Sequence, residues 1–296
     1  MRVVVALVTL GEIMLRKNCA NPCWRERPIM RSNLYPILRA AQSYFPFARR
    51  AKFELYINLT RYFGLKIEDD FHLLSRLGAV GLAIDIGGNW GQSIEALRWT
   101  CSPQRIVCVE PNPYLSGILS SRYKARPEIT ILENAISDAP GEHDLFVPHY
   151  RGFVYDGLAS LDKTSALEWL NEDRVAGFDH GKLSIEQHKV KIITLDSLNL
   201  QPDVVKIDVQ GYELQVVKGG AETFTRWQPI TIIETPNSSV VSLLADYGLL
   251  PFRYHADRLR RGDTSGLNTV FLGSRDQERF KAFIEAGDQD DPSRRR

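Results

Sequence analysis

Ala83-Ile84-Asp85-Ile86-Gly87-Gly88-Asn89-Trp90-Gly91-Gln92-Ser93 is the stretch that decides the fold of this chain. An apolar run from Ala79 to Ile84 leads into Asp85, a glycine-rich turn follows, and a helical pattern begins at Gln92. A strand, a tight glycine turn and a helix form the first unit of a nucleotide-binding sheet. Glycine admits the sharp turn and removes the Cβ atoms that would keep a ligand off the main chain. A dinucleotide fingerprint starting at Gly87 would need glycine at 89 and 92, where Asn89 and Gln92 stand. No Gly-Lys-Ser/Thr follows the strand either, so neither a pyrophosphate turn nor a P-loop is expected.

What stands is D-x-G-x-N-x-G, which resembles the form found in class I S-adenosylmethionine methyltransferases. That cofactor has no phosphate; it presents a charged amino-acid end, a sulfonium and an adenosine. A carboxylate and a small-residue turn suit such a cationic, close-fitting ligand. Asp85, Gly87, Asn89 and Gly91 are therefore the expected cofactor-binding residues. A second short apolar run, Arg105 to Val109, ends in Glu110, nineteen residues after Gly91. A carboxylate there can accept two hydrogen bonds from ribose hydroxyls. Pro111-Asn112-Pro113 then stops the strand and opens the next helix. Asn134 and Asp138, where the chain leaves the third strand, are candidates for the adenine amine, although both are also good turn-formers.

A second signature is Asp203-Val204-Val205-Lys206-Ile207-Asp208-Val209-Gln210-Gly211-Tyr212-Glu213, with a helix expected to close at Gly219-Gly220. Alternation sends Val204, Lys206 and Asp208 to one face of a strand and Val205 and Ile207 to the other. Asp208 then stands at the carboxyl end, beside the point where such sheets bind ligands. A lysine in an apolar strand is costly unless paired, and Asp208 or Glu213 can pair it. The next strand, Ile230 to Ile233, ends in Glu234, another carboxylate at the same edge.

Around these landmarks the chain alternates short apolar runs with helical patterns, which implies a parallel sheet with right-handed crossovers. Strands are expected at Val80–Asp85, Arg105–Glu110, Ile129–Leu132, Gly141–Pro148 and Val190–Leu195, and a hairpin-like pair at Phe252–His255 and Thr269–Leu272. Helices are expected at Gln92–Trp99, Tyr114–Tyr123 and Ser239–Tyr247, and before Gly78 on the face of Phe71, Leu74 and Leu77. From Leu34 to Leu65 aromatic residues (Tyr44, Phe47, Phe53, Tyr56, Tyr62, Phe63) recur at helical spacing among basic ones. These read as helices packing on the domain, with a lid or partner surface as the alternative. The polar segment from about Tyr150 to His188 is long enough to shape a substrate pocket.

Composition excludes several classes. The net charge of +1 gives no basic field that calls for nucleic acid. The apolar leader Val3 to Leu10 is too short to span a bilayer. Arg2 before it gives a faint likeness to a signal peptide, but Glu12, Arg16 and Lys17 follow without a small-residue cleavage site. Cys19, Cys23, Cys101 and Cys108 make neither a disulfide framework nor a zinc site, so a reducing, cytoplasmic setting is expected. The histidines lack metal-ligand spacing. Three regions follow: a partly helical extension over residues 1–65, a catalytic domain over 66–286, and a tail over 287–296 without core-forming residues.

Taken together the chain resembles the FkbM-type methyltransferases. The matching stretches run in the family's order: Asp85 to Gly91, Val109-Glu110-Pro111-Asn112, Glu133 to Asp138, Thr194 to Leu198, Val205 to Glu213 with Gly219-Gly220-Ala221, and Ile232-Ile233-Glu234. The resemblance implies a Rossmann-like α/β fold with a seven-stranded, mostly parallel sheet and helices on both faces. It also implies S-adenosyl-L-methionine as cofactor and methyl transfer to a hydroxyl of a sugar, glycan or natural product. Asp208 and Glu234 are the candidate catalytic base or orienting groups, with Lys206 and Glu213 in support. No metal is assigned, a divalent ion between Asp208 and Glu234 being the weaker alternative. Gly88 stands where alanine is common, a change the turn tolerates. Gln210 stands where glutamate is usual, which removes one acid from the site. Two rivals remain: a dinucleotide or nucleotide-sugar enzyme, disfavoured by the missing fingerprint, and a non-catalytic cofactor-binding or scaffold protein.

Overall fold

The computed structural model describes residues 34–44, 48–65 and 67–285. The leader, Cys19 and Cys23, Phe47 and the tail from 287 lie outside the described residues. Helices Leu34–Ser43 and Ala48–Phe63 come first. A helical turn at Asp69–His72 then tightens into a 3₁₀ turn at Leu73–Arg76. The strands are β1 (Leu82–Ile86), β2 (Arg105–Val109), β3 (Ile129–Leu132), β4 (Ala135–Ile136), β5 (Gly141–Tyr150) and β6 (Phe153–Val154). They continue with β7 (Leu183–Ile193), β8 (Val204–Ile207), β9 (Ile230–Glu234), β10 (Leu250–His255), β11 (Arg258–Arg261) and β12 (Asn268–Leu272).

Eight of these strands form one sheet in the order β11-β10-β12-β9-β8-β1-β2-β3. From β3 to β9 every neighbouring pair is parallel. β12, β10 and β11 complete the sheet antiparallel. The chain runs outward from β1 to β3 and returns to β8 on the other side of β1, so the strand order reverses between them. Ligands bind at the carboxyl edge of open α/β sheets at such a reversal. The sheet is one strand wider than the seven expected. β10 and β12 pair as the hairpin-like couple, and β11 turns back along β10's outer edge. Only Leu259 of its four residues is buried, so it has no apolar pattern to read. Its arginines suit an open edge, where charge discourages further pairing.

Alternation within the strands sorts apolar residues onto two faces. On one face Ala83, Cys108, Val204, Ile232 and Val270 pack with Phe71, Leu73, Leu74, Ile94 and Leu97. On the other, Ile84, Val107, Val205, Ile207 and Ile233 meet Val216, Phe224, Val240 and Leu244. The helices behind these contacts include Gln92–Cys101, Glu213–Lys218, Ala221–Trp227 and Ser238–Asp246. Ala221–Trp227 follows Gly219-Gly220 at once and has no counterpart in the sequence reading. Asp196 secures its start by accepting the N–H groups of Glu222 (3.0 Å) and Thr223 (2.8 Å). β7 begins at Leu183, earlier than expected, because most of its first half is exposed and polar.

By contacts the described residues divide into two compact units, those up to 58 with 145–188 and those of 59–144 with 189–285. The eight-stranded sheet lies within the second. The first has a core of its own, formed by Tyr150, Phe153, Tyr155, Leu158, Leu170 and Val175. There the β5–β6 hairpin pairs His149 with Val154, Ser43 Oγ lies 2.9 Å from the Tyr155 hydroxyl, and Arg49 pairs with Asp156 at 3.5 Å. The segment from about Tyr150 to His188 falls almost entirely within this unit.

Candidate active site

The glycine turn is sewn between two strands. Gly87 N–H donates to the Val109 carbonyl at 2.9 Å, and Asp208 N–H donates to the Ile86 carbonyl at 2.9 Å. Gly87 has φ +87°, and a Cβ there would overlap the Asp208 carbonyl oxygen. Glycine alone meets both conditions. Asn89 is also left-handed, at φ +48°, a conformation asparagine tolerates. Gly91 follows at φ +92° and opens helix Gln92–Cys101.

Asp85 lies opposite Cys108 on β2 and Lys206 on β8. Its Oδ2 accepts from Ser93 Oγ at 2.6 Å. Burial pushes its carboxyl up to about 6, while the Ser93 bond and the Lys206 charge pull the other way. Glu110 accepts Asn89 N–H on one oxygen (2.7 Å) and Asn112 N–H on the other (2.8 Å). It closes the turn from outside. Asn112 caps helix Pro113–Arg122 by accepting Tyr114 N–H. The chain leaves β3 at half-buried Asn134, and exposed Asp138 follows β4, accepting from Ser137 Oγ at 3.0 Å.

The turn passes a direct test of fit to a cofactor with a cationic amino-acid end. Asp85 Oδ1 and Asn89 Oδ1 are both buried and accept no hydrogen bond among the described residues. Buried acceptors without donors are rare and costly, and two sit in the turn that should receive the ligand.

A second cluster occupies the carboxyl ends of β8 and β9. Lys206 is 4 % exposed. Its Nζ lies 3.6 Å from Asp208 Oδ2 and donates to the Ile207 carbonyl at 3.3 Å. Burial alone would lower its pKa, but the charges of Asp208, Glu68, Glu234 and Asp85 raise it on balance. Glu234 goes the other way. Burial, the nearby charge of Asp208 and a hydrogen bond shared with that carboxyl hold it well above the usual carboxylate range. A like charge at such close range disfavours ionisation of the Glu234 carboxyl. Gln210, left-handed at φ +51°, donates Nε2 to Asp208 Oδ1 at 2.7 Å. The missing acid is thus replaced by a donor that orients Asp208. Glu213 Oε1 accepts Gly211 N–H at 3.0 Å, which commits it to the backbone of the turn, while Asp208 pairs Lys206.

Four residues here carried no signal in the sequence reading: Ser93, Glu68, Asp70 and Asn268. Asn268 lies opposite Glu234 on β12, and its Nδ2 donates to Glu68 Oε2 at 2.7 Å and Asp70 Oδ2 at 3.3 Å. The partners are about 200 positions apart in the chain. The acidic run Glu68-Asp69-Asp70 could be read only as the charged start of a helix. Among the described residues no group of three His, Cys, Asp or Glu side chains could hold a metal ion, and no helix is long and apolar enough to cross a membrane.

Sheet order, reversal point and glycine turn define a Rossmann-like protein of the class I methyltransferase fold. The chain belongs to the FkbM methyltransferase family: the family described as "Methyltransferase FkbM domain" matches residues 80–247. It is 26% identical over 143 residues to the 2-O-methyltransferase NoeI of Sinorhizobium fredii, covering 48% of this chain and 58% of that relative. The chain therefore spans a little over half of that relative's length. Among solved structures it is similar to an FkbM methyltransferase from Methylobacillus flagellatus, with TM-score 0.42 and 16% identity over 79% of this chain and 54% of that one. An Aeropyrum pernix fibrillarin bound to S-adenosyl-L-methionine aligns with TM-score 0.36 and 12% identity over 68% and 72% of the two chains.

Proposed function

We propose that the protein transfers a methyl group from S-adenosyl-L-methionine to a hydroxyl oxygen of a sugar, glycan or other small-molecule acceptor. The observation that carries this reading is the adjacency of two sites on one sheet edge. A turn with two buried acceptor atoms without donors, Asp85 Oδ1 and Asn89 Oδ1, lies beside the carboxyl pair Asp208–Glu234. Asp85 and Asn89 would hold the amino-acid end of the cofactor, Glu110 the ribose, and Asn134 or Asp138 the adenine. The bound cofactor would supply a methyl group on a sulfonium.

The chain's own part is to hold the acceptor and receive its proton. Positioning can contribute roughly 7–11 kcal/mol of a barrier. Once both carboxyls are ionised, the Asp208–Glu234 pair takes the hydroxyl proton, and Lys206 offsets the single negative charge then left on the pair. Base catalysis of this kind contributes about 10²- to 10⁴-fold.

Calorimetry with S-adenosylmethionine tests the cofactor assignment. Wild type should bind in the micromolar range, about −8 kcal/mol, and Glu110→Ala should bind far more weakly. No binding by wild type would remove the reading. Full turnover in both Asp208→Asn and Glu234→Gln, with normal cofactor affinity, would remove the catalytic assignment.

A further inference from the structure

The acceptor side of the sheet edge includes residues outside the family-matched stretch of 80–247. Glu68 and Asp70 lie at the start of helical turn Asp69–His72. Phe71, Leu73 and Leu74 seat that segment on the sheet face that carries Ala83, Val204 and Ile232. Alternation places Asp85, Lys206 and Glu234 on that same face. Asn268 reaches it from the other end of the chain, because antiparallel β12 begins where β9 ends.

The hydrogen bonds of Asn268 fix its orientation. Nδ2 faces the carboxylates of Glu68 and Asp70. The flipped amide would set an oxygen against both. Oδ1 then accepts no hydrogen bond among the described residues, although Asn268 is 1% exposed. Half-buried Glu68 adds a charge felt by both Lys206 and Glu234. The buried cation here, Lys206, already faces Asp208. Glu68 and Asn268 Oδ1 thus offer a carboxylate and an amide oxygen, both able only to accept hydrogen bonds.

Resting on the methyltransferase reading, we propose that Glu68 and Asn268 form an acceptor subsite for hydroxyl or ammonium groups beside the methylated oxygen. An acceptor with a carboxylate or phosphate at that position is rejected. A neutral or amino polyol supplies the donors that Glu68 and Asn268 Oδ1 lack. An acid brings neither donors nor a compensating charge, and like-charge contact opposes it.

The test uses the full chain and three probes on one ring framework: methyl glucoside, glucosamine and glucuronate. Binding is followed by saturation-transfer NMR with S-adenosylhomocysteine present, for wild type and Glu68→Gln. Wild type should favour glucosamine over glucuronate by about tenfold or more, with methyl glucoside between them. Glu68→Gln should reduce that ratio to about threefold or less, while S-adenosylmethionine affinity stays unchanged. Raising salt on wild type should shrink the ratio in the same direction, a measurement that does not depend on the variant folding. Glucuronate binding as well as glucosamine, a ratio unmoved by Glu68→Gln or by salt, or no probe binding to a protein that binds S-adenosylmethionine would each overturn the subsite. Failure of wild type to bind S-adenosylmethionine would instead remove the methyltransferase reading, and the subsite with it.

Discussion

At Gly88 the backbone is not left-handed, so a side chain would meet no torsional penalty. The obstacle is space, because a Cβ at 88 would overlap Cys108 Sγ in a fully buried contact. In the sequence this position looks indifferent; the structure makes it half of a matched pair. Gly88→Ala should cost about 1–3 kcal/mol in urea unfolding, and Cys108→Ala in the same chain should return most of it. At Gly87 no such rescue exists, since the obstacle is the backbone of Asp208. A second residue-scale prediction concerns Glu234. Its carboxyl is held protonated by burial and by Asp208, so a base drawn from this pair gains strength as pH rises. The rate should climb with pH on a limb displaced upward from the ordinary carboxylate range. Glu234→Gln should abolish that limb and lower kcat by about 10²-fold or more. A profile unchanged by the substitution would rule out the pair as the base.

The helix after the glycine turn is anchored by one buried side chain, Glu95. It accepts from Arg61 Nε and Nη2 (3.0 and 2.7 Å), Arg98 Nη1 (2.7 Å) and the Tyr123 hydroxyl (2.9 Å). Glu95→Ala would leave two guanidiniums and a phenol without the carboxylate that gathers them. We expect a loss of about 3 kcal/mol, read from the urea midpoint, and weaker cofactor binding because helix Gln92–Cys101 starts at the turn. Elements of this kind mark the boundary of what sequence shows. β1, β2, β8 and β9 were legible because their apolar runs end in Asp85, Glu110, Asp208 and Glu234, and parity alone put Lys206 and Asp208 on one face. β11 was not, since an edge strand made of arginines has no hydrophobic period. Asn268 and Glu68 were not either. Each looks ordinary locally, and only the antiparallel return of β12 brings them together.

The molecule as a whole carries acids buried on the site's face of the sheet. Asp85 and Asp70 are each pushed from 3.8 up to about 6, mainly by burial. A folded-state pKa above the unfolded one means that the native protein holds those protons more tightly. Stability is therefore greatest below about pH 4 as far as these groups decide it. It falls as pH rises toward about 6, by up to roughly 3 kcal/mol for a fully buried group. Asp85→Asn should flatten this decline and raise stability at neutral pH while weakening S-adenosylmethionine binding. Urea midpoints across that pH range, with calorimetry, would show both effects. A steeper decline in the variant would contradict the sign. The strand order has a last consequence, for anyone trimming the chain. The family-matched stretch stops at 247, before β10 and β12. A fragment cut there would leave β9, with Ile230, Ile232 and Ile233, as a naked hydrophobic border open to pairing with other copies. The borders of the recognisable family are not those of the foldable piece, and expression should keep the chain at least through Leu272.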